Sequence, residues 1–187
     1  MPPPNTATCI YRRALAVMQE IPTTLIIKEM EIYFRRANLS DFNQILILKK
    51  QIHDFHYSNR PDFYKASNCP LDKKDFENLL SNQDNRVFIV ENKKQICGYA
   101  FVKIIKFNND PLINDHNRFY IDDICVDENL RGKSIGQFLM KKLELECKSL
   151  GLKYMDLSVW SFNSKALNFY RKFGMKESLL RVEKRIE

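Results

Sequence analysis

The fold of this 187-residue chain is decided by the stretch Arg131-Gly132-Lys133-Ser134-Ile135-Gly136, which joins two segments of different periodicity. Residues 119–126 before it form a strand-like run, Phe-Tyr-Ile-Asp-Asp-Ile-Cys-Val, and residues 137–150 after it have helical spacing. A strand, a short glycine-containing loop and a helix form a phosphate cradle, because loop N–H groups and the positive helix end converge there. The stretch therefore predicts a site for a pyrophosphate.

This loop matches neither of two common phosphate motifs. It lacks the G-x-G-x-x-G of dinucleotide-binding folds and the G-x-x-x-x-G-K-[ST] of P-loops. It resembles instead the acyl-CoA loop of the GNAT acetyltransferase superfamily, [QR]-x-x-G-x-[GA], with Arg131 and Gly136 at the two ends. Ser134 stands where the family usually has glycine, and serine disfavours a positive φ and adds a side chain. The serine is therefore expected to weaken the contact between the loop and the pyrophosphate.

A second segment carries the same resemblance. Residues 163–175 read Asn-Ser-Lys-Ala-Leu-Asn-Phe-Tyr-Arg-Lys-Phe-Gly-Met and are similar to the family's N-x-x-A-x-x-F-Y-x-x-x-G-[FM] segment. The resemblance spans most of the chain, from about residue 31 to the C-terminus. It implies an α/β (α+β) fold of GNAT type, with a mixed, mostly antiparallel central sheet and helices on both faces.

Hydrophobic periodicity and turn residues give the element order βααβββαβαβ, which is typical of a mixed sheet with helices on its faces. Strands are expected at residues 31–36, 86–91, 96–106, 119–126, 154–159 and 179–186, and helices at residues 41–53, 71–80, 137–150 and 164–172. Residues 1–29 begin Met-Pro-Pro-Pro and have mixed character, so we expect them to be an N-terminal extension of uncertain origin. The N-acetyltransferase domain is expected over residues 30–187.

Composition favours a globular protein that binds a phosphorylated ligand. Hydrophobic residues make up 44% of the chain and charged residues 28%, and no apolar run approaches the roughly 20 residues of a membrane span. The net charge of +7 is spread along the chain, which suits coenzyme A, while most of the lysines are expected to be solvated surface residues. No helix-turn-helix or RNA-recognition signature accompanies it, so neither nucleic acid nor a membrane is the expected partner.

The cysteines are odd in number and irregular in spacing, with no C-x-x-C pair. We therefore expect structural thiols in a reduced, cytoplasmic protein. Their positions are Cys9, Cys69, Cys97, Cys125 and Cys147.

The resemblance implies the residues that hold acetyl-CoA as cosubstrate. The loop would bind the pyrophosphate, and the strand before it would offer backbone groups to the pantetheine arm and polarise the thioester. Asn163 would bond to that arm, or simply cap a helix. The full expected set is Ile124, Cys125, Val126, Arg131, Gly132, Lys133, Ser134, Ile135, Gly136, Asn163 and Tyr170.

Three residues are expected to carry the chemistry. By the resemblance, Tyr170 is the general acid, because a neutral phenol can protonate the departing thiolate; its alternative is a core tyrosine. Asp122 and Asp123 are the candidates for the general base, directly or through water. Neighbouring strand residues face opposite sides, so only one of them can aim at a given site unless a bulge intervenes. The alternative for each is a solvated or salt-bridged carboxylate.

Residues 53–64 are rich in aromatics and fall where the family shapes its acceptor pocket. His53 and His56 have a spacing that a metal ion can use, but no third ligand follows, so we expect surface or packing histidines and no metal. Trp160 is expected in the core or in a pocket wall. The candidates for contact with a cationic amine are Asp54, Tyr57, Asp62 and Tyr64.

These observations predict an enzyme, an N-acetyltransferase that moves an acetyl group from acetyl-CoA to a primary amine of a small molecule or peptide. The amine would attack directly in a ternary complex, because no cysteine has the setting of a nucleophile. The alternative is a non-catalytic, CoA-binding regulatory module. The sequence does not choose the acceptor, and it leaves a homodimer open.

Overall fold

Six strands form one sheet in chain order in the computed structural model, which describes residues 24–27 and 30–186. They are β1 (Thr24–Ile27), β2 (Met30–Arg36), β3 (Asn85–Asn92), β4 (Gln95–Phe107), β5 (His116–Val126) and β6 (Tyr154–Leu157). Neighbouring strands are antiparallel except β5 and β6, which run parallel. The mixed, mostly antiparallel sheet expected from the sequence is confirmed.

Four α-helices accompany the strands within the described residues: α1 (Phe42–Asn59), α2 (Lys73–Ser81), α3 (Ile135–Ser149) and α4 (Ser164–Lys172). Side chains cap the starts of two of them, α2 and α4; at α2 the Asp72 carboxylate accepts from the Asp75 N–H. Helix α1 extends beyond the predicted residue 53, because no proline or glycine interrupts it before Pro61. No helix in this part of the chain is long and apolar enough to cross a membrane.

Helices cover both faces of the sheet, as the alternation of strand side chains requires. On one face, Ile45 and Leu48 of α1 and Phe76 of α2 pack against Tyr99 and Cys125 of the sheet. On the other face lies α3, which contacts β3, β4, β5 and β6 and buries a continuous apolar stripe. The stripe consists of Ile135, Phe138, Leu139, Met140, Leu143, Leu145 and Cys147.

An ionic cluster fixes the start of α1 against the sheet. Arg35 of β2 donates to both oxygens of Asp41, at 2.8 and 2.9 Å, and to both oxygens of Glu91, at 2.9 and 3.0 Å. Asp41 also accepts from the Asn38 N–H at 2.8 Å and is only 4% exposed. The entry of the helix is therefore tied to two neighbouring strands by charge-assisted hydrogen bonds.

The chain divides after Leu157 into two units. In the second unit the strand predicted at residues 179–186 is wrong, since residues 175–186 form neither helix nor strand. The apolar side chains of that segment are exposed, Leu179 by 88% and Val182 by 82%. Alternating apolar residues favour a strand only where a neighbouring edge pairs with their N–H and C=O groups.

The sheet extends into the segment that the sequence sets apart as an extension. Strand β1 pairs with β2, placing Thr24 opposite Tyr33 and Ile27 opposite Met30. The remainder of the expected extension, residues 1–23 and 28–29, lies outside the described residues. The expected domain start at residue 30 therefore follows a strand that already belongs to the sheet.

Candidate active site

Strand β5 loses its neighbour halfway along its length. Its pairing with β6 ends at Ile121 opposite Leu157, while its pairing with β4 continues to Val126 opposite Gly98. The last five residues of β5 therefore have no partner on β6. Among residues 24–27 and 30–186 no other strand pairs with this edge, so the edge is open in the segment that leads into residues 131–136.

The backbone direction at this open edge follows from the ladder between β4 and β5. The Asp127 N–H donates to the Cys97 carbonyl at 2.9 Å, which marks a hydrogen-bonded pair. Because such pairs alternate in an antiparallel ladder, Cys125 also directs its N–H and C=O toward β4. Ile124 and Val126 direct theirs to the opposite side. Their main-chain groups therefore face the open edge. A peptide-like ligand can pair there with the groups of Ile124 and with the Val126 N–H, while the Val126 carbonyl already accepts from the Arg131 Nε.

Two left-handed residues shape the loop that follows. Gly132 has φ 78° and Ser134 has φ 60°. The first hydrogen bond of α3 runs from the Phe138 N–H to the Ser134 carbonyl at 3.0 Å, so the N–H groups of residues 135–137 have no acceptor within the helix. Left-handed residues next to a helix start give a concave array of N–H groups. The backbone of this loop is compatible with the predicted phosphate cradle, which stays a prediction.

The charged side chains of this loop differ in what they do. Arg131 folds back, and its Nε donates to the Val126 carbonyl at 3.2 Å, while Lys133 is exposed. Ser134 makes no side-chain cap for α3. Serine at a positive φ costs on the order of 1 kcal/mol relative to glycine. Ser134 therefore adopts the left-handed backbone conformation that glycine would adopt at this position, at the cost of some strain.

A β-bulge separates the two adjacent carboxylates of β5. Phe101 lies opposite Asp123 and Val102 opposite Ile121, so Asp122 has no partner residue on β4. Asp122 is exposed and pairs with the Lys103 Nζ at 2.9 Å. Asp123 turns toward α1, where its Oδ2 accepts from the Lys49 Nζ at 2.6 Å. The structure thus places the two candidate bases in different surroundings.

A buried tyrosine completes the surroundings of Asp123. Tyr99 of β4 is fully buried, and its hydroxyl donates to Asp123 Oδ2 at 2.8 Å. Burial and the charge of Asp123 raise the pKa of the phenol well above its ordinary value, so it remains a donor. Sequence reasoning missed both Tyr99 and Lys49. They lie 24 and 74 residues from Asp123, and no local spacing signals the contact.

The aromatic segment at the end of α1 contains an ordered histidine. The rings of His56 and Tyr64 stack with centroids 5.3 Å apart and planes at 22°. Burial lowers the pKa of His56; the charge of Asp123 opposes this, and Lys49 and His53 add to it. The His53 Nε2 lies 2.8 Å from the Lys65 carbonyl. Both histidines therefore pack against the segment that follows α1.

Other residues expected to contact an amine are partly engaged. Asp54 pairs with the Lys50 Nζ at 2.6 Å, and Asp62 pairs with Arg60 at 2.9 Å. Tyr57 is 37% exposed. Within residues 24–27 and 30–186, no three His, Cys, Asp or Glu side chains are grouped as metal ligands.

In the second unit, α4 carries the remaining candidates. Asn163 caps the helix, its Oδ1 accepting from the Ala166 N–H at 3.2 Å, which is the structural role that the sequence left open. Tyr170 is half-buried, and its ring meets Phe169 edge-on at 5.4 Å. Trp160 stacks on Phe162 with centroids 5.8 Å apart.

Buried cysteines in this structure are poor nucleophiles. Burial raises the pKa of Cys125 to about 12 and that of Cys147 to about 11, and it also raises the pKa of Cys97. A thiol attacks as thiolate, so these values disfavour an acyl-cysteine at neutral pH.

Comparison with known proteins identifies related sequences. The L-ornithine N5-acetyltransferase of Arabidopsis thaliana is 27% identical over 125 residues, which cover 64% of this chain and 50% of that protein. The glucosamine 6-phosphate N-acetyltransferase of the same plant is 28% identical over 109 residues, covering 58% of this chain and 71% of the relative. The chain thus spans half the length of the first of these relatives.

Solved structures share the fold. The BH1408 protein of Bacillus halodurans, solved in a mutant form, aligns with a TM-score of 0.80 at 24% identity, covering 82% of this chain and 99% of that one. An aminoglycoside N-acetyltransferase, AAC(6')-Iy, solved in complex with CoA, aligns with a TM-score of 0.61 at 15% identity, covering 82% and 98%. The sequence model of the acetyltransferase (GNAT) family matches residues 52–175, about two thirds of the chain. The chain therefore belongs to the acetyltransferase (GNAT) family.

Proposed function

We propose that this protein transfers an acetyl group from acetyl-CoA to a primary amine of a small molecule or peptide, by direct attack in a ternary complex. The observation that carries the proposal is the open edge of β5 at Ile124 and Val126, which leads directly into the loop with two left-handed residues before α3. A strand edge suits the amide groups of the pantetheine arm, and the loop suits its pyrophosphate.

Residues of the first unit supply most of the roles. Residues 131–136 bind the pyrophosphate through their N–H groups, and residues 124–126 bind the pantetheine arm. The Ile124 N–H, which points into the open edge, is the donor for the thioester oxygen. Of the two carboxylates, Asp123 is the one that assists the removal of a proton from the acceptor amine, because Asp122 is turned to solvent and pairs with Lys103.

Two further roles are assigned to residues of the second unit. Tyr170 protonates the departing sulfur, and Asn163 contacts the pantetheine arm. The support is the match of residues 163–175 to the family's segment, together with the half-burial of Tyr170.

The acceptor is an amine of modest size. The names of related proteins specify L-ornithine, glucosamine 6-phosphate and an alanine of ribosomal protein bS18, all of which offer a primary amine. Exposed carboxylates and aromatics at residues 54–64 suit a cationic acceptor. The free thiols of Cys97, Cys125 and Cys147 favour a reducing, cytoplasmic location.

The test combines calorimetry with a thiol-release assay. CoA should bind with measurable heat, and acetyl-CoA should release free thiol with at least one amine of a panel containing L-ornithine, glucosamine 6-phosphate, spermidine and a peptide that begins with alanine. Binding of CoA without turnover on any amine would identify the regulatory module instead. Absence of CoA binding would refute both functions.

A further inference from the structure

His56 lies on the side of α1 from which Lys49 reaches Asp123 of the sheet. Helix α1 packs against β4 and β5, and Lys49 on this side reaches Asp123 at 2.6 Å. His56 follows Lys49 by seven residues, about two helical turns, so both side chains leave the helix in the same direction. The charges of Asp123 and Lys49 both act on the imidazole. The histidine therefore belongs to the same electrostatic cluster as the buried carboxylate.

The imidazole is held by its neighbours. It is half-buried and stacks on Tyr64 at 5.3 Å. Tyr64 is itself tied back, because its N–H donates to the Arg60 carbonyl at 2.9 Å. Nearby, the His53 ring lies edge-on to Tyr64. A ring constrained in this way loses little freedom when it accepts a proton from a bound substrate.

The Oδ2 atom of Asp123 already has two donors, the Lys49 Nζ and the Tyr99 hydroxyl. A carboxylate oxygen has two lone pairs, and both are used here. The negative charge of Asp123 can still stabilise an imidazolium, which is the division of labour between an orienting carboxylate and a histidine base.

We propose that His56 is the general base of acetyl transfer and that Asp123 stabilises the imidazolium that forms. The inference rests on the proposed N-acetyltransferase function and names the proton acceptor within it. Of the three protons of the acceptor's ammonium group, one passes to His56 Nε2 or Nδ1 before attack. The amine nitrogen then bonds to the acetyl carbon and the carbon–sulfur bond breaks. The second proton ends on the sulfur of coenzyme A, the third stays on the amide, and His56 returns its proton to solvent.

The protonation state of the resting imidazole agrees with this role. Burial lowers the pKa of His56 from its ordinary value of 6.5, Asp123 opposes the change, and Lys49 and His53 reinforce it. The imidazole is therefore mostly neutral at pH 7 and ready to accept a proton. Tyr99, which faces the same carboxylate, keeps its proton because burial raises its pKa. A base with a pKa near the working pH is the efficient one.

The experiment measures kcat and kcat/KM between pH 5 and 9 for the wild type, His56→Gln and His116→Gln, with acetyl-CoA and the best amine of the panel above. His116 is the matched control, because it lies at the far end of β5, stacked on Phe107. For the wild type, kcat/KM should decrease as the pH is lowered from 6.5 toward 5, because His56 becomes protonated. His56→Gln should lose about 100-fold in kcat at pH 7, lose that acidic limb, recover partly at pH 9 and keep its KM for acetyl-CoA. His116→Gln should follow the wild type.

A second variant guards against misfolding. His56→Ala should regain activity when imidazole is added to the buffer, whereas His116→Ala should not respond. A His56→Gln enzyme with the wild-type rate and acidic limb overturns the inference, and so does a loss of rate that is equal at every pH and not relieved by imidazole. A wild type that acetylates no amine of the panel refutes the proposed function itself, which is a different result.

Discussion

The Tyr99 hydroxyl donates to Asp123 Oδ2 at 2.8 Å, although the two residues lie on different strands and 24 positions apart. The Lys49 ammonium also bonds to this carboxylate, and the Asp123 side chain is only 14% exposed. The neighbouring Asp122 faces solvent on the far side of a β-bulge. Two adjacent residues of the same type thereby have different surroundings, one enclosed by a cation and a phenol and one at the surface.

This division predicts that Asp122 and Asp123 respond differently to the same substitution. Asp123→Asn should lower kcat by about 10- to 100-fold, because it removes the charge that stabilises a protonated base. Asp122→Asn should change kcat by less than about 2-fold, since an exposed ion pair such as that with Lys103 contributes about 0–1 kcal/mol. Steady-state kinetics with acetyl-CoA in excess measure both. Equal losses in the two variants would contradict the assignment.

The strained loop predicts a stabilising substitution. Ser134→Gly should raise the free energy of unfolding by about 1 kcal/mol, because glycine adopts φ 60° without the steric cost that serine has there. Urea denaturation measures the change, and calorimetry should show CoA binding at least as tight as in the wild type. Ser58→Gly, within α1, is the control and should destabilise by about 0.5–1 kcal/mol. A destabilised Ser134→Gly protein would show that the serine side chain makes a needed contact.

Close contact of two strands predicts that Gly98 cannot be enlarged. A Cβ atom at this position would lie 2.9 Å from the Cys125 carbonyl oxygen, which is backbone and cannot swing away. Gly98→Ala should therefore destabilise by about 1–3 kcal/mol and weaken CoA binding, since β5 must shift at its open edge. At Gly151, which follows the end of α3, a Cβ atom meets nothing within 4 Å, so Gly151→Ala should show only the backbone cost of about 1 kcal/mol. Thermal melts and CoA titrations distinguish the two.

The proposed acid predicts a kinetic effect that leaves binding intact. Tyr170→Phe should lower kcat by about 10-fold or more, while the Kd for acetyl-CoA changes by less than about 2-fold, because only the proton donor is removed. Tyr154→Phe is the matched control, since Tyr154 of β6 is 51% exposed, and it should behave as the wild type. A Tyr170→Phe enzyme with full kcat would assign the tyrosine to the core.

The Asp41 cluster predicts a pH-dependent stability. Burial acts to raise the pKa of Asp41, but hydrogen bonds from Arg35 and the Asn38 N–H outweigh it, and the net pKa lies below its ordinary value of 3.8. A carboxyl whose pKa is lowered by folding contributes stability above its unfolded pKa and loses it as the pH falls through the folded pKa. Asp41→Asn should therefore cost about 2 kcal/mol at pH 7 and progressively less below pH 3.8.

Urea titrations of the wild type and Asp41→Asn between pH 3 and 7 measure this difference. Asp84→Asn provides the comparison, because the Asp84 and Lys106 side chains are each about half exposed and their ion pair is screened. It should change the free energy of unfolding by less than about 1 kcal/mol at every pH. A constant difference between wild type and Asp41→Asn across this range would exclude the ionised cluster as its cause.

Local sequence patterns determined most of the elements. Residues 164–172 form the predicted helix, and β2 through β6 all fall within a few residues of their predicted positions. A helix or strand that buries one face repeats its apolar residues with a characteristic spacing, and this spacing is visible within a short segment. The strand expected at residues 179–186 does not form, although the segment alternates apolar and polar residues. A strand also needs the edge of another strand, and no local pattern guarantees one.

The sequence by itself determined the family, the loop at residues 131–136 between a strand and a helix, and the order of the elements from β2 to α4, because contiguous residues carry each of these patterns. Only the tertiary structure decided which carboxylate turns inward. That choice depends on a bulge opposite β4 and on α1 crossing the sheet, which together bring Lys49 and Tyr99 to Asp123. Contacts between distant segments depend on how the layers pack, and no spacing within one segment encodes them.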